Sequence, residues 1–173
     1  MKWRRPSLWI LLILICEQYA VPHVIKVDAC EILGDPVLWN GVMVRASGQL
    51  QSSSGEGGPW LSGKDCKSEL LIKGERFANI IQLTDPQNDS DRIHRVEYTW
   101  DERSRSELRA AVAAMRTSKE RFDIEVVGTF ETRVPLTLLI NENARFKDHG
   151  FGHMGAAPAQ ILVKSIVVRA SRH

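Results

Sequence analysis

The sequence predicts a small β-barrel carrying one helix, and three observations point there. Residues 42–50 alternate, with Val42, Val44, Ala46, Gly48 and Leu50 on one face, which is the period of a half-buried strand. Phe122, Ile124, Val126, Gly128 and Phe130 repeat that pattern. Between the two stretches, Leu108, Ala111, Val112 and Met115 recur at i, i+3, i+4 and i+7, the stripe of an amphipathic helix. Each alternating stretch holds a glycine in mid-strand, where a long strand bulges or bends to serve both halves of a barrel.

The remaining elements follow in chain order. Val24 to Asp28 opens the folded part, and 28–33 reads as a short helix stopped at Gly34-Asp35-Pro36. A further turn through Val37-Leu38-Trp39 ends at Asn40-Gly41, a turn dipeptide. After the strand at 42–50, the polar run from Ser52 to Gly58 is a loop. Pro59-Trp60-Leu61 is a short strand, and Glu69–Ile72 and Ile80–Leu83 supply more strand around a Lys73-Gly74 turn. Thr84 to Arg92, with Pro86 and Asn88, reads as an exposed loop. Ser104-Arg105-Ser106-Glu107 fits a capping box that starts the helix, which runs to about Ser118. The strand at 122–131 is followed by a long connection at 132–159, and the β-branched run from Ile161 to Val168 closes the chain. A helix between the third and fourth of five strands is the element order of the OB-fold barrel. An open α+β sandwich of the same strands is the alternative.

The 173 residues suit one domain. The first twenty residues stand apart: Lys2, Arg4 and Arg5 precede the uncharged run from Leu8 to Cys16. A basic segment followed by a short apolar one is the layout of a signal peptide, too short for a spanning helix of roughly 20 residues. The expected organisation is therefore a signal peptide at 1–20 and a single OB-like domain at 21–173, with its long loop at 132–159. The exported chain then sits in the periplasm or outside the cell. Lipidation at Cys16 and an uncleaved N-terminal anchor are the alternatives.

Removing the leader takes three cations and one carboxylate from totals of 23 and 21, so the mature domain is formally neutral. That counts against a nucleic-acid binder, which leans on a basic field. Of the three cysteines, Cys30 and Cys66 survive leader removal, and in an oxidising compartment they are expected to pair. Two separate buried thiols are the alternative.

Cys30-Glu31-Ile32-Leu33-x-Asp35-Pro36-x3-Asn40-Gly41-x-Met43-Val44-x3-Gly48 resembles the opening of a group of small, exported, uncharacterised bacterial proteins. Gly150-Phe151-Gly152-His153-Met154-Gly155-Ala156-x-Pro158-Ala159-x-Ile161-Leu162-Val163 resembles their closing signature. The likeness spans residues 28–169 and implies export and an OB-type barrel, with no assigned reaction. The charged stretch from Asp85 to Arg105 departs from that pattern.

Candidate chemistry gathers in the long loop. His149-x3-His153 beside Asp148 has the spacing of a two-histidine clamp, and Glu142 is a third ligand that would let it hold zinc. The glycines at 150, 152 and 155 favour a tight loop instead, with His153 bonded to backbone and His149 in solvent. Phe151, His153 and Met154 would give a partner an apolar contact with one polar handle. In the other arrangement the loop plugs an open barrel end and Phe151 is core. Trp60 and Phe77 are stacking candidates beside Lys64, Lys67, Lys73 and Arg76, the arrangement a single-stranded nucleic acid would use. Gly58-x4-Gly63-Lys64 departs from a phosphate-binding loop at Asp65, where a hydroxyl residue is required. No Gly-x-Ser-x-Gly elbow and no Cys-x-x-Cys pair occurs.

The function expected from these features is an exported, non-enzymatic module that binds a ligand or protein partner in the cell envelope. It has no catalytic residues and no resident cofactor. The alternatives are a metal-dependent envelope protein or enzyme using His149 and His153 with zinc, and a single-stranded nucleic-acid binder.

Overall fold

The computed structural model describes residues 24–52, 58–64, 66, 70–72, 75–88, 92–134, 150–152 and 155–171. Its strands are β1 (Ile25–Asp28), β2 (Met43–Gln51), β3 (Trp60–Ser62), β4 (Leu70–Ile72), β5 (Glu75–Phe77), β6 (Ile80–Thr84), β7 (Phe122–Thr132) and β8 (Ala159–Ala170). The helices are α1 (Ala29–Gly34), α2 (Pro36–Trp39) and the longer α3 (Glu102–Ser118). Residues 1–20, where a signal peptide is expected, lie outside the described residues together with Cys16, as do 135–149 of the long loop. Among the described residues no helix is long and apolar enough to cross a membrane.

β2, β3, β6, β8 and β7 pair in that order, and β2 pairs again with β7 to close a five-stranded barrel. β6 and β8 run parallel and the other barrel pairs antiparallel. β1 lies outside the ring, parallel to β2. With α3 between the third and fourth barrel strands, this is the OB-like barrel with one helix, and the β2–β7 pairing overturns the open sandwich.

Closure depends on two glycines. One edge of β2 holds β1 along Val44–Ser47 and then β3 along Gln49–Gln51, and Gly48 sits at the handover. A Cβ there would run into the Ser62 carbonyl oxygen, so a larger residue would push the strands apart. Gly128 marks a bulge: Val127 faces Ser165 and Gly128 faces Val163, leaving Lys164 as the extra residue. The carbonyl of Lys164 accepts the Asp101 N–H at 2.9 Å, so the bulge docks the start of α3.

That docking corrects the expected helix start. The N-cap is Asp101, whose carboxylate accepts the Ser104 N–H at 2.8 Å. Ser104 is already inside the first turn, buried, and donates its hydroxyl to the Asp101 carbonyl at 2.9 Å. Leu108 and Ala111 carry the buried stripe, with Val112 and Met115 packed against the core beside them. Inside the barrel, Val44, Ala46, Leu61, Ile81, Val126 and Phe130 have no exposed surface. Each large apolar side chain sealed in this way contributes about 1.5–3 kcal/mol.

The short elements depart most from expectation. β1 forms on the edge of β2 although only Val27 of its four residues is buried. β4 and β5 pair with each other as a separate hairpin and add nothing to the barrel, which receives only β6 from that region. Pro86, expected in an exposed loop, is buried. The disulfide is Cys30–Cys66, with a Cα–Cα distance of 5.2 Å. It ties α1 to the connection after β3 and packs against Gly63, where any Cβ would overlap its sulfurs.

Candidate functional site

Glu131 of β7 faces Gln160 of β8, Gln160 faces Gln82 of β6, and Gln82 faces Trp60 of β3. Their sequence neighbours Phe130, Ile161, Ile81 and Leu61 are core residues. By strand alternation this polar row therefore lies on the outer face of the barrel.

One half of the row is covered. Glu131 and Gln160 are 0% and 1% exposed, because the irregular segment between β6 and α3 crosses over them. The Glu131 carboxylate accepts the N–H of Ile93 at 3.1 Å and that of His94 at 2.5 Å. It accepts the Gln160 amide at 2.6 Å and lies 3.2 Å from His94 Nδ1. Gln160 in turn accepts the Thr84 hydroxyl at 2.9 Å. A buried carboxylate is costly unless its oxygens are matched by donors, and these groups supply the match. The His94 side chain stays 37% exposed and its ring lies against Gly41, where a Cβ would stand 3.0 Å from Nε2.

Tyr98 fastens the same segment one row further along. Its hydroxyl donates to the Leu162 carbonyl at 2.7 Å, accepts the Thr129 N–H at 2.9 Å and lies 2.9 Å from Thr129 Oγ1. Burial pushes the phenol above its ordinary range, the Thr129 hydrogen bonds pull it back, and the Glu131 charge raises it further.

The other half of the row is more open. Trp60 and Gln82 are half-buried, and the connections before β3 and before β8 both close on Gln82. A Cβ at Gly152 would meet Gln82 Oε1 at 2.8 Å, and one at Gly58 would overlap its amide nitrogen. Beside Gly152, Phe151 has no exposed surface. Its N–H and carbonyl bridge to Ala157 at 2.9 and 3.1 Å, and the Arg133 guanidinium lies 4.6 Å from its ring centroid. Phe151 is thus buried within the connection before β8, which is one element of the plug arrangement.

Of the other expected site residues, Trp60 lies on this face, while Asp148, His149, His153, Met154 and Glu142 fall outside the described residues. Among the described residues no three of His, Cys, Asp and Glu group closely enough to hold a metal. Phe77 is corrected as a stacking candidate: it is 3% exposed and packs with Val134 and Leu70. Lys64 is engaged by Asp123 at 2.7 Å, and Lys67 and Lys73 lie outside the described residues. Glu131, Gln160, His94 and Tyr98 were not singled out from the sequence. Glu131 and Gln160 continue the polar phase of their strands, which reads as solvent-facing, and nothing local signals a cover.

No known family model, curated protein or solved structure matches the chain. The class is therefore defined by architecture: an OB-like barrel with an outer face half sealed by its own chain.

Proposed function

We propose that this chain is an exported, non-enzymatic OB-type module that binds a ligand or a protein partner in the cell envelope. The observation that carries the reading is the Trp60–Gln82 face of β3 and β6, flanked by the connections that precede β3 and β8. OB barrels take their ligands on this face and between these loops. Export is supported by the basic and then apolar N-terminal segment, and by the Cys30–Cys66 bridge, which suits an oxidising compartment.

The test places a photo-crosslinking residue at position 60, and at Arg109 on the exposed side of α3 as a control, in cells that make the protein. Fractionation and N-terminal sequencing accompany it. The reading expects envelope-located protein processed near residue 20 and a discrete adduct from position 60 alone. Cytoplasmic full-length protein, or identical adduct patterns from both positions, overturns it. Stoichiometric zinc that disappears with His149→Ala or His153→Ala would favour the metal-dependent alternative.

A further inference from the structure

A cleft of about 290 Å³ opens at the start of β7, six or more residues along the strand from Glu131. It lies where β1 has ended and β3 has not yet begun on the edge of β2. Its charged lining comprises Lys26 and Asp28 of β1, Lys64, Asp123 and Glu125 of β7, and Arg169 of β8. Formal charge on these side chains balances, but the pairing does not.

Each carboxylate already has a donor. Asp123 accepts Lys64 Nζ at 2.7 Å and the Ser171 hydroxyl at 2.9 Å, and Lys64 holds its carboxyl below the usual range, so it stays ionised and engaged. Glu125 accepts Arg45 Nη1 at 2.9 Å. Asp28 Oδ1 caps α1 through the Cys30 N–H at 2.7 Å. The side chains of Lys26 and Arg169, both exposed, take part in no hydrogen bond or ion pair among the described residues. The backbone on one side of the cleft is tied in advance: Lys26 and Asp28 lead into Cys30, Lys64 precedes Cys66, and the disulfide joins them. A cavity whose walls need no ordering on binding loses less free energy to its ligand's capture.

We propose that this cleft binds a small oxyanion, a ligand bearing a phosphate or carboxylate group, through Lys26 and Arg169. Arginine offers a planar fork that matches two oxyanion oxygens, and lysine adds a compact point charge. The site is separate from the Trp60 face, so either can fail without the other.

Calorimetric titration of the oxidised protein at constant ionic strength tests it, with inorganic phosphate and succinate as two separate probes and chloride as the balancing ion. Saturable binding of either probe is expected, and which one binds identifies the head group. Lys26→Met and Arg169→Met should each weaken that binding by about tenfold, the scale of one charge-assisted contact, while Arg109→Met leaves it unchanged. Arg169→Lys, which keeps the charge without the fork, should retain an intermediate affinity. Thermal melts of every variant establish that it is folded. Absence of saturable heat with both probes, or undiminished binding in a folded Lys26→Met/Arg169→Met double variant, overturns the proposal.

Discussion

Phe130 and Ile161 face each other across β7 and β8 inside the barrel, while Glu131 and Gln160, one step away in the antiparallel register, face each other on the outside and are sealed just as completely. The inner pair is held by apolar area, which is non-directional and tolerant of exchange among side chains of similar volume. The outer pair is held by hydrogen bonds, from Ile93, His94 and Gln160 to the Glu131 carboxylate and from Thr84 to Gln160, and the carboxylate is tolerable only while its donors stay in place. The two sides of one sheet thus respond to different perturbations. Cavities weaken the inside; loss of a donor or acceptor weakens the outside.

The largest expected effect breaks the outer side. Glu131→Ala strips the Ile93, His94 and Gln160 donors of their acceptor, and a loss of about 4–5 kcal/mol is expected in urea unfolding. Phe151→Ala tests the long loop by the inner rule, because the ring is fully buried; a cavity cost of about 3–4 kcal/mol is expected. A loss below about 1 kcal/mol would return Phe151 to the role of a contact surface. Removing the Cys30–Cys66 bridge by a double serine substitution should cost about 2–4 kcal/mol, and alkylation without reductant should label neither cysteine in the native protein.

The smallest effect has a pH signature. The Tyr98 phenol titrates above its ordinary 10.0 in the folded protein, chiefly through burial. Its contribution is therefore fully present below pH 10 and is lost as pH rises through the folded value, because the unfolded chain ionises first. Tyr98→Phe should cost about 1–2 kcal/mol at neutral pH and flatten the fall in stability above pH 10. An unaltered alkaline slope in this variant would remove Tyr98 from the account.

The inner side was legible in the sequence for the same reason that it is robust. Alternation in β2 and β7 and the 3.6-residue stripe of α3 are repeated signals, and each survives a local exception. Gly48 and Gly128 showed where the strands come close, and the cysteine count indicated the bridge. The outer side was not legible. Glu131 and Gln160 occupy the polar phase of their strands, and their cover is the stretch near Ile93, His94 and Tyr98, which has no periodicity. The start of α3 shifted from Ser104 to Asp101 because the Lys164 bulge fixes it, a contact between residues far apart in sequence. The stretch Glu69–Ile72 looks like a barrel strand in isolation, β5 carries no strand signal of its own, and only the β4–β5 pairing shows that the two form a separate hairpin.

Hydrogen exchange at the Ile93 and His94 amides tests most directly whether Glu131 clasps the segment between β6 and α3 onto the barrel. Both N–H groups point into the buried carboxylate. In the native protein they should therefore exchange as slowly as amides of the β7–β8 pair, through openings that approach global unfolding. In Glu131→Gln, which keeps the volume and removes one acceptor oxygen, these two amides should exchange much faster while Val126 and Ile166 remain protected. Fast exchange at Ile93 and His94 in the native protein, or rates that the substitution leaves unchanged, would contradict the clasp.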